Sequence, residues 1–179
     1  MLKKKQLKPL REQNEKLVSK SNIDIDIQWA ISEPSQLSET QTLLSDDIII
    51  KTVTSVLNFH NDSVGELTIR FVDSAESQSL NHAYRDKDKP TNVLSFSAEI
   101  PDFIESTLLG DLIICDAVVK TEAKEQHKSL IHHYQHLIVH GTMHLLGFDH
   151  IENNEAVVME KHEIAVLNEL GIDDPYQVD

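Results

Sequence analysis

Three histidines, His140, His144 and His150, fall within eleven residues of one another. On a helix the first two lie one turn apart on the same face, so their imidazoles can share one metal ion. Gly147 follows, a residue that adopts the left-handed backbone in which helices end. The chain can turn back there and bring His150 round as a third ligand. Three neutral nitrogen ligands with an open fourth position describe a catalytic zinc site. Structural zinc is usually closed by four ligands, typically with thiolates, and this chain has a single cysteine, Cys115.

The spacing is that of the zincin pattern H-E-x-x-H-x-x-G-x-x-H, with one departure. Gly141 stands where the proteases carry their general-base glutamate. The metal geometry is kept and the protease's proton acceptor is missing, which predicts a metal-assisted hydrolase of another kind. Zinc at such a site polarises a carbonyl or phosphoryl oxygen and lowers the pKa of bound water toward ~7. The residue that would accept the proton stays unassigned. Around the triad, His136 sits one turn before His140 and is a candidate to orient a ligand, as is Asp149. The plainer readings are a half-buried histidine with a backbone partner and a turn cap. Met159 is read as a core methionine ahead of a residue packed beneath the metal.

The elements that must position these groups follow from periodicity. Residues 23–29 alternate strictly (Ile-Asp-Ile-Asp-Ile-Gln-Trp) and predict a half-buried strand. Residues 31–42 read as a polar connection, with the start of the next helix as the alternative for its end. A helix capped at Ser45 runs to about Phe59, with Ile49, Val53, Val56 and Leu57 inward. Gly65 to Val72 is a second strand, placing Leu67, Ile69 and Phe71 on one face and Arg70 on the other. A short helix is expected over about 75–84, with Leu80 and Ala83 inward. Pro90 closes a charged loop carrying Lys87 and Lys89. Strands follow over 91–96 and 108–115, then a helix capped by Asp116 and a longer one from about Ser129 to Leu146. On the last, His133, His136, His140 and His144 share a face that looks into a cleft, and Ile131, Tyr134, Ile138 and Leu145 form the core face. A final helix spans about 155–170, stopped at Gly171. The expected class is α+β: a small mixed four-stranded sheet packed with about five helices.

Composition sets bounds on function. No run of about 18 apolar residues occurs, so no membrane span is expected. Lys3, Lys4 and Lys5 are not followed by an apolar stretch, so no secretory signal is expected. The lone cysteine fits a reducing compartment. Residues 1–21 read as a mobile basic tail or an electrostatic arm for RNA, and 22–179 as one domain. Residues 1–20 hold seven basic and two acidic residues; since the total charge is −14, the remainder carries −19. An acidic body does not coat nucleic acid, so a polyanion would need a local basic patch or a partner that presents it, and no DNA binding is expected.

His140 to His150 with Ile151-Glu152, together with Tyr84 to Phe96 and Leu108 to Cys115, resembles the bacterial YbeY family over roughly residues 23–176. The resemblance implies a zincin-like fold, one Zn²⁺ on His140, His144 and His150, and single-strand-specific cleavage of RNA. It also implies maturation of the 3′ end of the small-subunit (16S) ribosomal RNA and ribosome quality control, in the cytoplasm. The small ribosomal subunit and the GTPase Era are the implied partners. Arg70 matches an arginine that is functionally important in that family, so it is the candidate catalytic and phosphate-gripping residue, against a surface salt bridge. Lys87 and Lys89 are candidate RNA-backbone contacts, against a solvated loop neutralised by Asp86 and Asp88. The rival functions are a zincin-type metalloprotease and a non-catalytic ribosome assembly factor with a structural zinc.

Overall fold

An isoleucine face and a row of polar residues make Asn22–Ala30 the first strand, β1. It opens a computed structural model that describes residues 22–62, 64–101, 103–148 and 153–177. The basic tail, Asp149 and His150 lie outside the described residues. Two helices, α1 (Pro34–Leu43) and α2 (Asp46–Phe59), carry the chain to β2 (Val64–Val72), which pairs with β1 in parallel. Then come α3 (Ser74–Arg85), β3 (Val93–Ser97) and β4 (Leu108–Cys115). β4 joins β2 in parallel and β3 joins β4 antiparallel, so the sheet is mixed, in the order β1-β2-β4-β3. α4 (Asp116–Glu125), α5 (Leu130–Leu145) and α6 (Asn153–Glu169) complete the chain.

The sheet is covered unequally, and that decides where function can sit. On one face Leu67, Ile69, Phe71, Leu112 and Ile114 meet Ile49, Val53 and Leu57 of α2 and Tyr134, Leu137 and Ile138 of α5. Each such fully buried side chain contributes roughly 1.5–3 kcal/mol. Trp29 of β1 stacks on Phe71 at 4.3 Å, tying the edge strand to this core. A second cluster, Val56, Val139, Met143, Met159, Val166 and Leu167, clamps α6 onto α2 and α5. Met159 is 1% exposed within it, a core methionine as expected. The other face of the sheet buries Val72, Leu94, Ile113 and Cys115, with Leu80 of α3 and Phe96 of β3 packed against them.

Three expectations need correction. Residues 34–43 are a helix of their own, giving six helices among the described residues. The stretch lacks an apolar stripe because Thr40 is its one buried residue, and Thr40 is held by a hydrogen bond to Asp116 at 2.7 Å. Asp116 is not a cap. Cys115 occupies that position, and the buried Asp116 carboxylate accepts from Thr40 and from the Tyr134 hydroxyl at 2.6 Å. Ala83 is exposed, and α3 instead buries Ser77 and Asn81. Those two polar groups bond the backbone of Thr91 and Lys89, pinning the charged loop to the helix.

Candidate metal centre and the cavity beside it

α5 ends as its glycine predicts. Gly147 has φ +89°; its N–H donates to His144 O and the Phe148 N–H donates to Met143 O, the paired bonds of a Schellman stop. That turn places the Phe148 carbonyl 2.9 Å from His144 Nδ1. One turn earlier, His140 Nδ1 lies 2.8 Å from Oε1 of Glu163 on α6. A carbonyl and a carboxylate only accept, so both imidazoles carry their proton on Nδ1 and present a lone pair at Nε2. The two Nε2 atoms stand 3.1 Å apart. Two zinc-bound nitrogens at a near-tetrahedral angle stand about 3.3 Å apart. Two lone pairs facing at this distance repel unless a cation lies between them, so this donor set fits a divalent metal ion. Among the described residues no three His, Cys, Asp or Glu side chains form such a group, and the third expected ligand, His150, lies outside them.

Glu163 is the residue that sequence reasoning missed. It is 1% exposed. It accepts from His140, from His136 Nε2 at 3.1 Å and from the Tyr176 hydroxyl. Burial pushes its pKa up, but the bonds from His136 and His140 outweigh that and hold it at about 2. The carboxylate therefore stays charged and acceptor-only, the state that fixes the His140 tautomer. His136 is joined to His140 through this shared carboxylate rather than held by a backbone partner.

Gly141 lies where α5 crosses closest to the sheet. A Cβ built there would meet Leu112 Cδ2 at 2.8 Å and Ser95 Oγ at 3.3 Å, and Leu112 is fully buried. A glutamate here would force the buried Leu112 side chain to shift, and the metalloprotease alternative lacks the base at this position.

The structure does not bring Arg70 to the histidines. α5 packs on the Leu67–Leu112 face, and Arg70 projects from the other, into an open cleft of about 500 Å³ with Gln28, Thr68, Tyr84, Phe96 and Asp111. Its guanidinium pairs with Glu76 through Nε at 2.8 Å and Nη2 at 3.2 Å, and its side chain is 34% exposed. Lys87 and Lys89 are exposed and make no ion pair among the described residues; Asp88 accepts instead from Gln78 at 2.8 Å. The loop they occupy ends at Asn92, and Asn92 reaches the histidine side of the molecule.

There a second cavity, of about 250 Å³, opens beside the His140–His144 pair. His133, His136 and His140 supply one wall, and Asn92, Glu122 and Tyr176 stand round it. Glu122 accepts from His133 Nε2 at 2.9 Å and from Asn92 Nδ2 at 3.1 Å. The His133 bond is the main reason its carboxyl lies below the usual range, against the opposing push of burial.

The profile of the family described as Endoribonuclease YbeY matches residues 30–171. The chain belongs to this family. Relatives named Endoribonuclease YbeY include that of Colwellia psychrerythraea, 52% identical over 85% of this chain and 96% of its own length. That of Alteromonas mediterranea is 50% identical over 84% and 98%. In three dimensions the solution structure of TM1509 from Thermotoga maritima shares the fold, with a TM-score of 0.50, 21% identity, and coverage of 86% of this chain and 99% of that one. As a YbeY family member, the chain carries in Glu163, Glu122 and Tyr176 groups whose part is invisible in the motif itself. Glu163 is 13 residues past His150, and nothing in its local sequence separates it from the other acids of α6.

Proposed function

We propose that this chain is a zinc-dependent endoribonuclease that cleaves single-stranded RNA. It would act in maturation of the 16S ribosomal RNA 3′ end and in ribosome quality control, in the cytoplasm, with the small ribosomal subunit and the GTPase Era as partners. The observation that carries the reading is the His140–His144 pair, its two Nε2 lone pairs converging 3.1 Å apart in a family of endoribonucleases. His140, His144 and His150 would hold the ion. Zinc, when bound, supplies a Lewis acid that offsets the charge building on the scissile phosphate.

The chain's own residues do the rest. Glu163 and the Phe148 carbonyl keep both imidazoles in the ligating tautomer. With Gly141 in place of an acid, the site offers no carboxylate base at that position. Lys87 and Lys89 grip backbone phosphates along the loop leading to Asn92. Arg70, across the sheet from the histidines, contributes as a phosphate contact on the open face once it exchanges Glu76 for substrate.

Metal analysis of the purified protein, paired with cleavage of a single-stranded RNA, tests this. His140→Ala is expected to lose the zinc and to slow cleavage by about 10²–10⁴-fold while keeping its circular dichroism. Wild type that holds zinc yet leaves single-stranded RNA intact would instead favour the assembly-factor role, to which the acidic body lends some weight.

A further inference from the structure

The cavity beside His140 is lined, apart from His140 itself, by residues outside the proposed ligand set. Its volume, about 250 Å³, falls below the roughly 300–1,000 Å³ of sites for drug-sized ligands and suits a single planar heterocycle. Its wall is neither apolar nor of one charge. Lys128 is its cation, and that ammonium is already donating to Pro175 O at 2.9 Å. Glu122 is a carboxylate, which makes the cavity poor for a phosphate. What remains is hydrogen-bonding capacity. Glu122 retains acceptor sites beyond those used by His133 and Asn92. The Gln126 amide is exposed and makes no side-chain hydrogen bond among the described residues. Tyr176, 40% exposed, offers a ring whose hydroxyl is tethered to Glu163.

We infer that this cavity is a nucleobase subsite, taking a base with an exocyclic amino group from a nucleotide next to the scissile phosphodiester. Proteins read single-stranded RNA by stacking splayed bases on aromatic rings and bonding their edges. Here Tyr176 supplies the ring, the Gln126 amide reads donor and acceptor together, and the Glu122 carboxylate accepts from the amino group. Because His140 belongs both to the cavity wall and to the metal pair, a base seated here delivers its adjoining phosphate to the metal. The inference rests on the endoribonuclease reading and adds to it where the substrate lies.

Free ribonucleosides test it apart from that reading, since they carry no phosphate for a metal to hold. Adenosine, cytidine and uridine are titrated into the zinc-loaded protein while the ring signals of His133 and Tyr176 are followed by NMR. Cytidine and adenosine are expected to give saturable shifts, with uridine about five- to tenfold weaker for want of one hydrogen bond. Gln126→Trp, which fills the cavity from an exposed helix end, is expected to abolish the shifts and leave the zinc content and fold unchanged. In cleavage the same variant raises KM and alters base preference with kcat little changed. No saturable shift from any nucleoside, or shifts that persist in Gln126→Trp, overturns the subsite even if RNA is cut. Uridine binding as tightly as cytidine overturns the part given to Glu122. RNA left intact by a protein that binds the nucleosides overturns the nuclease reading alone.

Discussion

Two imidazoles one helical turn apart are common; two that aim Nε2 at the same point require their Nδ1 protons to be held elsewhere. Glu163 does this for His140 and the Phe148 carbonyl for His144. Glu163→Gln keeps the shape but presents an amide that can bond with either polarity, so the tautomer is no longer imposed. Zinc affinity is expected to fall by about 10–100-fold, read by competition with a chromophoric chelator, while the thermal midpoint of the zinc-free protein changes little by comparison. The motif His140, His144 and Gly147 was legible because every member is local. Glu163 was not, because its role is created when the second apolar cluster presses α6 against α5, a contact between segments that carry no shared pattern.

Among the elements, α5 is governed by how closely it approaches β4. Gly141 permits that approach, with a Cβ position only 2.8 Å from a methyl of the buried Leu112. Gly141→Glu would wedge a Cβ, four further heavy atoms and a charge into this contact. A loss of at least about 3 kcal/mol is expected, measured by urea denaturation, with no peptidase activity gained. At the N-terminal end of the helix, Tyr134 donates to the buried Asp116 at 2.6 Å. Tyr134→Phe removes one donor and leaves Thr40 and Lys120 to serve the carboxylate, so a smaller loss of about 1–2 kcal/mol is expected in the same assay. This network also explains why α1 escaped the sequence pattern. Helices are recognised by an apolar stripe, and α1 is anchored by Thr40 to an aspartate 76 residues away.

At the scale of the whole molecule, the α2–α6 seam carries a pH response. His60 has its pKa lowered, first by burial and then by His162, with Asp62 opposing. The rings of His60, Phe148 and His162 pack together there. Because the folded protein resists protonating His60, the unfolded chain takes up that proton first as pH falls through 6.5. Stability from this group is full above that value and declines below it. Urea midpoints at pH 7.5 and 5.5 should differ in that direction, and His60→Phe should narrow the difference. Glu122, with its carboxyl held below the usual range mainly by the His133 bond, adds a further loss only at more acid pH, as it too becomes protonated.

The sequence by itself determined the strands, five of the six helices, the stop at Gly147 and the family, because each rests on residues within a few turns of one another. Periodicity and glycine placement are local consequences of backbone sterics, and the motif is one contiguous run. Only the tertiary structure decided which face of the sheet is covered. It thereby separated Arg70 from the histidines, joined Glu163 to His140, and opened a polar cavity from residues spread between Asn92 and Tyr176. Those relations arise from packing between distant segments, where the free energy of burying an apolar face chooses the partner and the polar groups at its margin are brought together as a result.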